Sequence, residues 1–242
     1  MAVAGNANFI NTFELSGPFI DSTLSTGQTG QVLTATGTSN VYWTWTPSNV
    51  YAQVTSGINP GDYLGWDGSK WQPVDSNIAL GGFSGQSQGL HAVAVGWQTG
   101  QSHQSSNAVA IGLQAGNQSQ GIDTVAIGTF AGGTNQQQNA IAIGVSSGNQ
   151  SQGTQAIAIG QSAGNSVQGT QSIAIGVNTG YQGQGTQAVA IGTSAGQTNQ
   201  GQSTVAIGIQ AGGQAQGAQS VAVGYQAGNQ AQGNSSIAVG YL

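Results

Sequence analysis

Ile157-Ala158-Ile159-Gly160-Gln161-Ser162-Ala163-Gly164-Asn165-Ser166-Val167-Gln168-Gly169-Thr170-Gln171-Ser172 is one unit of a repeat, and Ile173-Ala174-Ile175-Gly176 begins the next. With Gly160 taken as position 0, glycine recurs at 96, 112, 128, 144, 176, 192, 208, 224 and 240, always sixteen residues on. No insertion or deletion interrupts the count. A bundle or an ordinary sheet has no need of so fixed a step. A solenoid has, because each coil must return to the same place before the next is laid upon it. The expected fold class is all-β, a parallel β-solenoid of 16-residue coils over residues 77–242, preceded by a small β-hairpin-rich region.

The three residues before each position-0 glycine place Val or Ile on either side of Ala, as in Val93-Ala94-Val95 and Ile237-Ala238-Val239. Alternation with β-branched residues predicts a short strand with Val and Ile on one face and Ala on the other. Position 4 is always Gly and position 3 always small (Thr99, Ala115, Ser147 and their equivalents). Position 8 is always Gln, usually followed by Gly. The predicted coil is a V-A-I strand, a turn, a second short strand around the small residue, and a turn at Gln-Gly. Glycine at fixed turn positions supplies backbone angles that residues with a Cβ reach poorly.

A single coil has too little apolar surface to offset the entropy of ordering it, so the coils must stack. The reading is that Val and Ile columns fill the roll. The Gln column comprises Gln104, Gln120, Gln136, Gln152, Gln168, Gln184, Gln200, Gln216 and Gln232. It would stack one amide per coil as a structural ladder, or else each Gln would bond its own turn. The Ala column comprises Ala94, Ala110, Ala126, Ala142, Ala158, Ala174, Ala190, Ala206, Ala222 and Ala238. Its constancy implies a closely covered second face, through packing against other subunits or through coil geometry alone.

The blocks Ser172-Ile173-Ala174-Ile175-Gly176 and Thr204-Val205-Ala206-Ile207-Gly208, each with a small residue three places on, resemble the head repeats of YadA-like trimeric adhesins. Similar repeats occur in fibre proteins of giant viruses and phages. The resemblance implies a left-handed parallel β-roll with three chains side by side, and it carries no catalytic residues. The step of sixteen departs from the period of about fourteen typical of those heads.

Ahead of the repeat, residues 1–29 carry Phe9, Ile10, Phe13, Leu15 and Phe19 among Ser, Thr and Asn, and read as a short β arm that docks on a neighbour or, alternatively, as a flexible terminus. Residues 30–76 hold a weaker repeat. Gly30-Gln31-Val32-Leu33 leads to Trp45-Thr46-Pro47, and Gly61-Asp62-Tyr63-Leu64 leads to Trp71-Gln72-Pro73. Two related β-hairpins are expected, the second turning at Asp67-Gly68. Trp43, Trp45, Trp66 and Trp71 would form a small core or chain contact, or a sugar platform. Asn77-Ile78-Ala79-Leu80-Gly81 reads as a first coil one residue short, the missing residue falling between Gly85 and Gln88.

The chain has 242 residues, one Lys or Arg, six Asp or Glu, a net charge of −5 and no Cys. From Thr124 onward it contains no Asp, Glu, Lys, Arg or His. A basic surface for nucleic acid or anionic membrane is absent. No apolar run approaches a membrane span, and residues 1–11 lack the basic and apolar regions of a usual secretion signal. His91 and His103 occupy different coil positions and Asp123 stands alone, so neither a zinc site nor a per-repeat calcium site is expected. No cofactor and no enzymatic activity are expected. The function expected is structural: a homotrimeric fibre or filament subunit, extracellular or on a virion. Stacking end to end would use Phe9, Phe13, Trp43 and Trp71 against Tyr241 and Leu242. Alternatives are an adhesin that binds a host receptor or glycan through Trp97, Phe130, Tyr181 or Tyr225, and an ice-binding solenoid. Position 6 alternates Gln with Ser or Thr from Ser102 to Gln214, a 32-residue period with no physical account in the sequence.

Overall fold

The computed structural model describes residues 31–36, 42–47, 63–66, 71–74 and 76–241. Every regular element among them is a strand. The chain divides into two compact units, Met1–Ile58 with Leu64–Pro73, and Asn59–Tyr63 with Val74–Leu242. In the first, β1 (Gln31–Thr36) pairs antiparallel with β2 (Tyr42–Pro47), setting Leu33 opposite Trp45 and Ala35 opposite Trp43. A second two-stranded sheet joins β3 (Tyr63–Trp66) and β4 (Trp71–Val74). Both expected hairpin sequences are thus paired strands. Phe9, Phe13 and Leu242 lie outside the described residues, as do the side chains of Trp43 and Trp71.

The second unit is a parallel β-solenoid. β5 (Ile78–Leu80) opens an eleven-stranded parallel sheet that continues through β6 (Val93–Val95) to Ile237–Val239. Every V-A-I triplet pairs in register with the next, for example Ile157 with Ile173, Ala158 with Ala174 and Ile159 with Ile175. A second parallel sheet of seven strands runs from β7 (Ser102–Gln104) to Thr198–Gln200. Isolated bridges extend it to Gln88 at one end and Gln214 at the other. Gln88 thus aligns with Gln104, and Gly85 N–H bonds the Thr99 carbonyl as Gly100 N–H bonds Ala115, so the missing residue of the first coil lies between them.

The second strand differs from expectation. It occupies positions 6 to 8 and ends on the Gln, whereas the small residue at position 3 lies in the preceding turn. Its middle residue has positive φ in every coil, 56° at His103 and 49° at Val167. Ladder pairing therefore skips it and links positions 6 and 8 alone. Backbone groups around the coil bond alternately to the coil before and the coil after. Gly160 N–H donates back to the Ile143 carbonyl, and Gly164 N–H donates forward to the carbonyl of Thr179, the next coil's counterpart of Ala163. This satisfies turns that have no extended strand of their own.

The glycine at position 0 fixes the spacing. Gly160 has φ of +126°, and a Cβ there would meet the Gly176 carbonyl oxygen at 2.4 Å. No residue with a side chain fits that approach, because the obstacle is the backbone of the next coil.

The two faces of the first strand are the reverse of the expectation. Ala94, Ala110, Ala126, Ala142, Ala158, Ala174, Ala190, Ala206 and Ala222 are wholly buried inside the single chain, and Ala238 is half-buried in the last coil. They face the interior of the roll, out of reach of another subunit. Val and Ile point outward, with Ile159 37% and Ile207 39% exposed. The physical reason is the width of the coil. Its interior also holds the position 3 residue, the position 4 glycine, the Gln of position 8, and a small residue two before the central Ala (Ala156, Ser172, Thr204). These leave room for a methyl group and nothing larger. Where the small residue is Ser or Thr, its hydroxyl donates to a nearby carbonyl, Ser172 to Gly169 at 2.6 Å and Ser147 to Ala158 at 2.7 Å, so polar substitution inside is satisfied.

Candidate assembly face

The Gln column lies inside the roll, against the glycines. Gln104, Gln120, Gln136, Gln152, Gln168, Gln184, Gln200 and Gln216 are buried, and Gln232 is half-buried. Each Nε2 donates to the carbonyl that opens its own coil's V-A-I strand, Gln168 to Ile157 at 2.7 Å and Gln152 to Ile141 at 2.6 Å. Its second hydrogen reaches a carbonyl four residues on in most coils, as from Gln152 to Ala156 at 3.1 Å. The amide thus ties one side of the coil to the other across its interior. Amide-to-amide bonds occur from Gln88 to Gln104, Gln120 to Gln136 and Gln200 to Gln216.

The amide oxygens of Gln120, Gln152, Gln168, Gln184, Gln200 and Gln232 are buried without a donor. Both hydrogens of a neighbouring Nε2 are used on backbone carbonyls, so few remain for the ladder. The oxygen instead occupies the space that a side chain at position 4 would fill. A Cβ on Gly164 would lie 2.6 Å from Gln168 Oε1. Gln at position 8 and Gly at position 4 are therefore one feature: the glycine makes room for the amide, and its Cα–H faces the oxygen.

With the interior closed by these groups, the outer face of the eleven-stranded sheet carries two Val, Ile or Leu side chains per strand. It is an uninterrupted apolar strip on a surface with almost no charge. Three residues by eleven strands give roughly 10 Å by 50 Å. Single exposed Val or Ile residues are normal on a protein surface, whereas a continuous apolar strip of this extent is as large as the biggest patch a typical monomer exposes. Sequence reasoning placed these residues inside the roll. A signal for the correct placement was present. From the Gly96 coil onward, residues at both −4 and −2 are always Ala, Ser or Thr, so one face of the strand carries only small side chains.

Position 1, just past the glycine, is a second outward column. Leu113, Val145, Val177 and Ile209 are 42–51% exposed there. At its ends the column is aromatic. Trp97 packs edge-on against Phe83 with ring centroids 5.2 Å apart, and Tyr225 stacks on Tyr241 at 5.1 Å. Tyr241 is otherwise exposed. Among the described residues no three or more His, Cys, Asp or Glu gather as metal ligands. Asp123 accepts a hydrogen bond from Asn107 of the preceding coil at 2.9 Å.

The family model of the YadA head domain repeat matches residues 151–179, 200–227 and 215–242. No curated protein and no solved structure matches the chain. The coils matched have the same step and the same V-A-I-G blocks as those before them back to Gly96. The C-terminal part of the chain carries YadA-like head repeats.

Proposed function

From these YadA-like head repeats, we propose that the chain is a subunit of a surface-exposed fibre and that three copies associate side by side along the Val and Ile strip. The observation that supports this reading is the inverted strand. The roll closes its own interior with Ala, Gly and Gln, and so leaves its largest side chains for a surface outside itself. Burying that strip between copies supplies the apolar contact that a single rod lacks. Assembly is then the function, and the chain acts as a rigid spacer or display element on a virion or cell. It calls for no cofactor and no catalysis.

Light scattering on the purified protein tests the proposal. A mass of three chains is expected for the wild type, and a mass of one chain for I143D/I175D with its β-sheet circular dichroism retained. A wild type that stays a single chain at micromolar concentration would sink the proposal.

A second reading, binding of a receptor or glycan, rests on the two exposed aromatic pairs, Phe83 with Trp97 and Tyr225 with Tyr241. A glycan array would reveal it, and loss of the signal in W97A or Y225A would locate it.

A further inference from the structure

The Val and Ile strip cannot by itself fix how associated rods align along their length. Each strand offers the same pair of side chains, so a shift by one coil, about 4.8 Å, reproduces almost the same contact. The strip is also narrow. Its roughly 500 Å² falls short of the ~800 Å² per partner that specific association uses. The contact must extend to a neighbouring column, and the two sides of the strip differ. On one side, beyond the buried small residue at −4, stand exposed amides, with Gln187 bonded to Gln171 and Gln171 to Gln155. On the other, just past the glycine, is position 1.

Position 1 alternates. Leu113, Val145, Val177 and Ile209 stand on every second coil, with Thr129, Gln161 and Thr193 on the coils between. The same two-coil period appears at positions 6 and 7, where packing within the chain explains part of it. Large residues at position 7 lie over small ones in the coil before, as Asn199 Oδ1 lies 3.1 Å from where a Cβ of Gly183 would be. The apolar side chains at position 1 have no such cover and stay about half exposed. Their alternation therefore concerns something outside the chain whose own repeat is two coils, and a second copy of the chain has that repeat by construction.

We propose, building on the side-by-side association above, that the position 1 columns of associated copies face one another with their coils level. Apolar layers (Val145, Val177) then alternate with polar layers (Thr129, Gln161, Thr193) along the contact. The period of the contact becomes two coils, about 9.6 Å, instead of one. A one-coil slip sets Gln161 against Val177 of the neighbour and leaves its amide without a partner in an apolar layer. The column is a register key for the assembly.

The chain has no Cys, so introduced thiols are the only ones that react. Under mild oxidation of the full-length protein, V177C and V145C should each form disulfide-linked dimers of chains. S151C, at the exposed middle position of a strand in the second sheet, should do so at least ten-fold more slowly. Tagged Q161C co-expressed with untagged V177C should give like-with-like disulfides and ten-fold fewer mixed ones. Disulfides need Cα atoms within about 7 Å, which an added axial step of one coil exceeds for facing residues. If the uncrosslinked protein scatters light as one chain, the association itself fails. If it scatters as three chains and neither V177C nor V145C crosslinks faster than S151C, the facing columns are overturned while the association stands. Mixed 161–177 disulfides as abundant as like pairs would overturn the register key.

Discussion

Ala158 and its neighbours Ile157 and Ile159 occupy three consecutive residues of one strand, yet they belong to different surfaces. Ala158 is wholly buried in the chain, and Ile159 remains 37% exposed. The usual rule that larger apolar side chains go inward fails because the roll has no room for them. What closes the interior is the pairing of Gln168 with Gly164 and the close approach of Gly160 to the next coil. The inner face is a problem of fit, and the outer face is a problem of association. Substitutions on the two faces should therefore separate folding from assembly.

The sharpest break is at the glycine column. G160V should lose more than about 3 kcal/mol, since it combines a strained φ with a clash against backbone that cannot move aside. Limited proteolysis should cut within the coils around 160–176 and spare the wild type. On the inner face, A158V should lose about 1–3 kcal/mol by overpacking, read as a fall in the urea midpoint. Q168L removes the donor that ties Ile157 and Ser172 together and should cost about 1–3 kcal/mol in the same assay. Protection from hydrogen exchange should fall in that coil and its two neighbours and hold elsewhere, as expected when each coil contacts only the next.

The outer face should respond in the opposite way. I159T should leave the fold of the single chain within about 1 kcal/mol of wild type and weaken association, read as a lower mass by light scattering at equal concentration. If it unfolds the chain as A158V does, the two faces are not distinct. The smallest effect expected is a gain. Val167 is a β-branched residue held at a φ of 49°, where its equivalents Asn135 and Asn199 adopt the same angle more readily. V167N should raise stability by about 0.5–1 kcal/mol in the urea midpoint.

The difference between the faces also shows why part of the molecule was legible in advance. The glycines at fixed positions, the strands Ile157–Ile159 and Ile173–Ile175, and the shortened first coil at Ile78–Leu80 follow from spacing alone, because a stacked coil tolerates no change in its count. The second strand was misplaced because its middle column mixes Asn199, which accepts positive φ readily, with Ser151, Val167 and Ala215, which do not, so the column's identity gives no consistent sign of the angle. That angle is imposed by the coils above and below. Gln168 was recognisable as a fixed column. Its bond to Ile157 joins residues eleven apart, and that separation becomes a contact only once the coil has closed.

The sequence by itself determined the coil length, the parallel stacking and which residues form columns, since a strict period of sixteen admits little else. It left open which side of the V-A-I strand lies inside, because alternation defines two faces without saying which is enclosed. Only the tertiary structure decided that. The cross-section left after Gly160, Gly164 and Gln168 have taken their places admits a methyl group, so Ala158 goes in and Ile157 and Ile159 face out.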